Sequence, residues 1–209
     1  DLCDLLGGDF YAVGRLDGTQ IGFLIGDVTG HGVAAALYTM YLSSLWKRHA
    51  PLLVNPSAFA QIVNRELCGL IKEEEPFAAC VCGVVDVGKG EVRFTGAGNP
   101  PPLLVREGNG LEELHCSGLP WGLDEDMTYD ETATPIQHGD RLLLFTDGAT
   151  EVQVGPHEYL NVEGLIDVLQ GLGYPSAEAP FSAVEEELLR RSERIRFSDD
   201  VTLLELLVR

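Results

Sequence analysis

Residues 21–32 read Ile21-Gly22-Phe23-Leu24-Ile25-Gly26-Asp27-Val28-Thr29-Gly30-His31-Gly32. The apolar run predicts a strand that delivers the Asp27 carboxylate to its end, and a glycine-rich turn then leads into a helix of small residues beginning near Val33. Such a turn fits two readings. One is a cradle for a metal ion or a phosphate, because Gly30 and Gly32 let the backbone approach a ligand and a helix N-terminus favours anions. The other is a plain strand-to-helix connection that needs glycine for its backbone angles.

Upstream, Phe10 to Leu16 and Gln20 to Asp27 flank Asp17-Gly18-Thr19, a turn signal that joins antiparallel strands, so Asp27 ends a hairpin. Downstream, Val33 to His49 carries apolar side chains at helical spacing and closes on Lys47, Arg48 and His49, where positive charge complements the helix dipole. Pro51 breaks this helix. Asn55-Pro56 caps and starts a second one, Pro56 to Lys72, whose Phe59, Ile62, Val63, Leu67, Leu70 and Ile71 share one stripe. After Glu73-Glu74-Glu75-Pro76 the pattern changes to strands. Phe77 to Val87 and Glu91 to Gly96 form a hairpin about Gly88-Lys89-Gly90, and Leu103 to Arg106 and Leu111 to His115 follow the interruption at Pro100-Pro101-Pro102. Thr128 to Thr134 reads as an edge strand and Arg141 to Phe145 as a short apolar one. Helices near Val162 to Gln170 and Pro180 to Arg196 precede a last strand, Val201 to Val208. Strands in antiparallel hairpins, about nine of them, with helices in separate blocks predict an α+β fold with two stacked sheets.

A chain of 209 residues can bury a core without disulfides, and one domain over 1–209 is expected. The net charge of −19 argues against nucleic acid or an anionic membrane surface as a partner, since both would be repelled. No apolar stretch approaches the roughly 18 residues of a membrane-spanning helix. Five cysteines, an odd number with no secretory leader, point to reduced thiols in a cytoplasmic protein, and Cys80 and Cys82 alternate on one strand face as core residues do. The chain begins at Asp1 without methionine, so it is expected to be a piece of a longer protein with other domains before it.

Aspartates punctuate several strand ends: Asp27, Asp147 in Thr146-Asp147-Gly148, and Asp199-Asp200 before the last strand, with Asp9 after Gly7-Gly8 as a fourth candidate. Carboxylates from distant strand ends can converge on a hard cation such as Mg²⁺ or Mn²⁺. Each one alone also fits the ordinary frequency of aspartate in turns.

Five stretches in order carry a family resemblance. They are Gly7-Gly8-Asp9-Phe10-Tyr11, Gly26-Asp27-Val28-Thr29-Gly30-His31-Gly32, Ala97-Gly98-Asn99-Pro100-Pro101-Pro102-Leu103, Gly139-Asp140-Arg141-Leu142-Leu143-Leu144-Phe145-Thr146-Asp147-Gly148 and Ser198-Asp199-Asp200-Val201-Thr202. Together they resemble the metal-dependent serine/threonine protein phosphatases (PPM), in the bacterial branch typified by SpoIIE and RsbU. The resemblance implies a four-layer α-β-β-α sandwich, two stacked mainly antiparallel sheets flanked by helices, with two Mn²⁺ or Mg²⁺ ions at one edge. Carried over by position, Asp27 would bridge the ions and the Val28 carbonyl would bind one of them. Asp147 and Asp199 would hold the other, with Asp199 preferred over Asp200 because the first position of that signature carries the ligand. Asp9 would lie in or beside the first ion's shell. Two ions roughly 3.5–4 Å apart would activate a water in line with phosphorus, without a covalent intermediate.

The chain departs from the pattern at three places. Thr29 stands where the eukaryotic members carry a histidine, so protonation of the leaving oxygen would fall to water, or to His31 if the turn brings it close. A second lies at Asn99, where the branch often reads Gly-His-Asn-Pro, and a third at Ala12, where the branch usually has aspartate after Gly-Gly-Asp-Phe-Tyr. The implied substrate is a phosphoprotein of the anti-sigma-factor-antagonist type, under control of an upstream sensor or receiver domain, and some members of the branch form homodimers. Loss of the histidine keeps a rival open, a regulatory module that binds a partner without catalysis. A receiver domain phosphorylated on Asp27 would need a parallel sheet, which the hairpins forbid. Arg15 reads as a phosphate contact or a solvated residue, Trp121 as a partner contact or a core residue, Glu151 as the residue after the metal loop, and Glu185-Glu186-Glu187 as a solvated helix face.

Overall fold

The computed structural model describes residues 7–30, 32–70, 76–106, 110–175, 181–192 and 197–209. In chain order its strands are β1 (Asp9–Arg15), β2 (Gln20–Val28), β3 (Ala78–Asp86), β4 (Glu91–Ala97), β5 (Leu103–Arg106), β6 (Gly110–Glu113), β7 (Thr132–Pro135), β8 (Arg141–Phe145), β9 (Gln153–Gly155), β10 (Glu158–Tyr159) and β11 (Leu203–Leu207). Its helices are α1 (Val33–His49), α2 (Pro56–Leu70), α3 (Asn161–Gly171) and α4 (Phe181–Arg191).

The turn at Asp17 closes the first hairpin because the Asp17 carboxylate accepts the backbone N–H groups of Thr19 at 2.7 Å and Gln20 at 2.9 Å. From it grows a five-stranded sheet in the order β1-β2-β3-β4-β7, and a second sheet runs β11-β8-β5-β6. All of their ladders are antiparallel. Alternation along each strand sorts side chains into layers. Phe23 and Ile25 of β2 face Leu142 and Leu144 of β8 across the gap between the sheets, while Leu24 and Val28 face Leu42, Leu45 and Phe59 of α1 and α2. On the far side Leu143 and Phe145 pack on Leu165, Val168 and Leu188 of α3 and α4. The predicted four-layer sandwich is therefore the observed one.

Several local expectations are corrected. Among the described residues eleven strands form rather than about nine, because β9 and β10 are too short to show a period of two. The edge strand anticipated from Thr128 begins only at Thr132, since the Tyr129 side chain is buried against the α1 and α2 layer and its hydroxyl donates to the Leu119 carbonyl at 3.1 Å. Pro51 lies in a short 3-10 helix, Ala50–Val54, that links α1 to α2. The second helix is described to Leu70; Ile71 and Lys72 lie outside the described residues, as do the ends of the helix expected from Pro180 to Arg196.

Trp121 belongs to the core. It is fully buried, meets the Phe59 ring edge-on at 6.2 Å, and exchanges backbone hydrogen bonds of 2.8 and 3.0 Å with Ala78. Arg15 is exposed at the opposite end of β1 from Asp9, about 20 Å away at the rise of a strand, which removes it from the aspartate cluster. Cys80 and Cys82 share the α1 and α2 side of β3, and all four described cysteines are free thiols. No helix among the described residues is long and apolar enough to cross a membrane.

Candidate metal centre

Strand register assembles the site. In the β1–β2 ladder Asp9 stands directly opposite Asp27. In the second sheet Leu203 of β11 pairs with Phe145 of β8, so the residues just after β8 and just before β11 emerge together. One carboxylate oxygen each from Asp27, Asp147 and Asp199 lies within 4.8 Å of the others. The two sheets thus contribute to one point from sequence positions more than 100 residues apart.

Asp9 is held at the edge of this triad. Its Oδ2 accepts the hydroxyls of Thr146 at 2.9 Å and of Thr202, while its Oδ1 is buried without a hydrogen-bond partner among the described residues. The two threonines are themselves locked together: the Thr146 N–H donates to the Thr202 carbonyl at 3.1 Å, and the Thr202 N–H donates to the Thr146 hydroxyl at 3.0 Å. Asp147 Oδ1 is likewise buried and has no partner among the described residues. Buried acceptors left unsatisfied are costly and call for a ligand. Val28 N–H donates to the Gly8 carbonyl at 3.1 Å, which brings residue 8 against the end of β2. Asp199 and Asp200 take different parts: Asp199 joins the triad, whereas the Asp200 carboxylate accepts the Gly8 N–H at 3.1 Å.

Two glycines permit this crowding. A Cβ at Gly148 would stand 1.9 Å from the Asp200 carbonyl oxygen, and one at Gly8 would stand 2.4 Å from the Val28 carbonyl oxygen and 2.5 Å from Asp27 Oδ1. Neither position tolerates a side chain without moving backbone.

The electrostatics follow from the geometry. Burial, then the charges of Asp9, Asp147, Asp199 and Asp200, push the Asp27 carboxyl up to about 8. Burial also raises Asp9, to about 6, against the lowering effect of its bonds from Thr202 and Thr146. Asp147 is raised by burial and by the neighbouring Asp199 charge. Among the described residues none of these carboxylates has a basic ion-pair partner. An all-oxygen donor set with orphaned buried oxygens and unbalanced negative charge fits a hard divalent cation.

The surrounding residues hold the metal loop still. The Asp147 carbonyl accepts three hydrogen bonds, from Thr150 N–H at 2.8 Å, the Thr150 hydroxyl at 3.0 Å and Glu151 N–H at 2.7 Å. Asn99 is nearly buried, and its Nδ2 donates to the Phe145 carbonyl at 2.9 Å, tying the proline turn to the end of β8. The Thr29 hydroxyl donates to the Phe77 carbonyl at 3.2 Å and accepts the Phe77 N–H at 3.0 Å, so it pins the entry to β3. His31 lies outside the described residues. Asp140, in the same motif as Asp147, is structural: it is buried and its Oδ2 accepts Arg106 Nη1 at 3.0 Å and Gln137 N–H at 2.9 Å. Sequence reading passed over Thr146, Thr202 and the anchoring role of Asn99, although all three sit inside the quoted motifs.

Comparison with known proteins gives the same picture. The family model described as Stage II sporulation protein E (SpoIIE) matches residues 17–209. The phosphoserine phosphatase RsbP of Bacillus subtilis is 29% identical over 149 residues, covering 70% of this chain and 37% of RsbP. The phosphoserine phosphatase RsbU of the same organism is 24% identical over 202 residues, covering 96% of this chain and 59% of RsbU. The chain thus spans less than two thirds of the length of either relative. The solved SiaA-PP2C domain of Pseudomonas aeruginosa superposes with a TM-score of 0.83 at 21% identity, covering 99% of this chain and 82% of that one. By its motifs, its four-layer fold and these matches, the chain belongs to the SpoIIE-type branch of the PP2C (PPM) family of protein serine/threonine phosphatases.

Proposed function

We propose that this domain hydrolyses phosphoserine or phosphothreonine on a regulatory protein of the anti-sigma-factor-antagonist type, using two Mn²⁺ or Mg²⁺ ions. The observation that carries the reading is the convergence of Asp27, Asp147 and Asp199 within 4.8 Å, beside an Asp9 oxygen that has no donor among the described residues. Asp27, Asp147 and Asp199 would hold the ions, with the Val28 carbonyl and Asp9 completing the set. Asp200 serves by fixing residue 8 against the cluster. When bound, divalent ions supply a nucleophilic water near neutral pH and offset charge on the phosphoryl oxygens.

The chain's own groups do the positioning. Thr146 and Thr202 aim Asp9, and the three hydrogen bonds that the Asp147 carbonyl accepts fix the turn from which its carboxylate projects. Thr29 has both its donor and its acceptor engaged by Phe77, so it has no proton free for a departing serine oxygen. Solvent water is assigned that role, with His31 as the remaining side-chain candidate. Regulatory input from an upstream sensor or receiver domain would reach Asp27 through α1, which begins five residues after Val28. Pairing of two copies beside this domain belongs to the same proposal.

The test is phosphate release from a serine-phosphorylated protein with and without Mn²⁺, comparing the chain with Asp27→Asn. Metal-dependent release that the substitution abolishes supports the enzyme. Absence of both release and calorimetric metal binding leaves the second reading, a non-catalytic binding module, which the engaged Thr29 and the replaced histidine favour.

A further inference from the structure

Beside the metal centre, on the α3 side, lies an open cleft of about 610 Å³ whose lining includes Pro100, Pro101, Asp147, Glu151, Tyr159 and Val162. It shares Asp147 with the triad, so anything seated in it continues directly from the metal centre. We propose that this cleft is the docking groove for the polypeptide segment flanking the phosphorylated residue, and that it selects an apolar side chain against Tyr159 and the prolines and a basic one against Glu151. The assignment rests on the phosphatase reading of the centre.

Size, rigidity and charge support it. The volume falls within the roughly 300–1,000 Å³ of sites that enclose a drug-sized ligand, comparable to a short peptide segment. Its far wall includes Tyr159 of β10, from the small β9–β10 hairpin that the sequence patterning did not reveal, and Asn161 and Val162 just after it. That hairpin is strapped to the metal loop: Leu160 N–H donates to the Val152 carbonyl at 2.9 Å and Asn161 N–H to the Thr150 carbonyl at 2.8 Å. The near wall is the Gly98–Pro101 turn, anchored by Asn99 to the Phe145 carbonyl. Both walls are therefore referenced to the loop that carries Asp147, so a segment bound between them presents its phosphoryl group at a set position.

Tyr159 is 56% exposed at the rim. An aromatic ring beside proline rings offers a stiff apolar surface that loses little entropy on binding. Glu151 is exposed, and among the described residues it has no ion-pair partner. Among the described residues no lysine, arginine or histidine lines the cleft, while Asp147 and Glu151 do, so the described lining is negative and discriminates against acidic flanks.

The experiment compares kcat and KM of the Mn²⁺-loaded wild-type chain, Tyr159→Ala and Glu151→Lys on three probes. These are para-nitrophenyl phosphate, a phosphoserine peptide flanked by leucine and lysines, and the same peptide with glutamates for lysines. Wild type should favour the lysine peptide by about fivefold in kcat/KM, through KM, as expected for a partly exposed charge contact. Glu151→Lys should invert that order. Tyr159→Ala should lower the ratio of peptide to para-nitrophenyl phosphate kcat/KM by about tenfold, the scale of an aromatic anchor. Both side chains are exposed, and unchanged thermal melts would certify folding. Equal effects on all three probes, or no flank preference in wild type, would overturn the docking assignment while leaving the phosphatase intact. Failure of wild type to hydrolyse para-nitrophenyl phosphate with Mn²⁺ would overturn the phosphatase reading and this assignment with it.

Discussion

Asp9 and Asp27 are direct partners across the β1–β2 ladder, two half-buried carboxylates on adjacent strands with no cation among the described residues to separate them. Like charges opposed on a sheet repel, and here burial adds to the repulsion. Metal binding and stability are therefore linked at this pair.

In the metal-free folded protein burial and the neighbouring carboxylates push the Asp27 carboxyl up to about 8, and burial pushes Asp9 up to about 6, both from an ordinary value of 3.8. Between these values the folded state holds more protons than the unfolded one, so each group's contribution to stability falls as pH rises through its window. Asp27→Asn removes one such group. Its metal-free melting temperature should exceed wild type by a margin that widens from pH 5 to pH 8, and saturating Mn²⁺ should reverse the ranking. Calorimetric melts at four pH values check this; a margin independent of pH would contradict it.

Asp199 and Asp200 should separate cleanly. Asp199→Ala is expected to weaken Mn²⁺ binding by at least about tenfold with little change in the metal-free melt, because its exposed carboxylate serves the triad. Asp200→Ala removes the acceptor for Gly8 N–H and should cost about 1 kcal/mol of stability before any effect on metal. Titration calorimetry and chemical denaturation read the two effects.

Gly148→Ala forces a Cβ onto the Asp200 carbonyl and should cost about 3 kcal/mol, with loss of metal binding as the loop shifts. Gly69→Ala is the contrast, since nothing lies within 4 Å of its added Cβ in α2. That variant should be neutral or slightly more stable in urea, as alanine favours a helix by up to about 1 kcal/mol over glycine.

Asn99→Ala leaves the Phe145 carbonyl without its donor and should cost about 1–3 kcal/mol while lowering metal affinity. Asn99→His restores a ring N–H at that place and should recover much of the affinity. Equal Mn²⁺ affinities for the two variants would remove Asn99 from the positioning of the loop.

Thr29→Val should lower the melting temperature through loss of both Phe77 bonds, whereas Thr29→Ser should keep it. The acid and alkaline limbs of kcat for Thr29→Val, measured well below its melting temperature, should coincide with wild type. A displaced limb would show that the hydroxyl takes part in proton transfer.

Hairpins, helix starts and the order of layers were legible because their causes are local. The Asp17 turn, the alternation of Phe23, Leu24 and Ile25, and the Asn55-Pro56 start act within a few residues of themselves. The loop tryptophan and the two short strands were not legible, since Trp121 is buried by Phe59 and Ala78 from other elements, and β9 and β10 exist through their ties to the metal loop.

By itself the sequence determined the α+β sandwich and the aspartates available to a cation, because periodicity and glycine-flanked carboxylates are properties of short stretches. Tertiary structure alone decided which of them converge. The contacts that sort Asp199 from Asp200, and that clamp Asp9 between Thr146 and Thr202, span 137 to 193 residues. Such contacts depend on the register of two sheets and on how closely Gly8 and Gly148 let their backbones approach, and no local pattern encodes that distance.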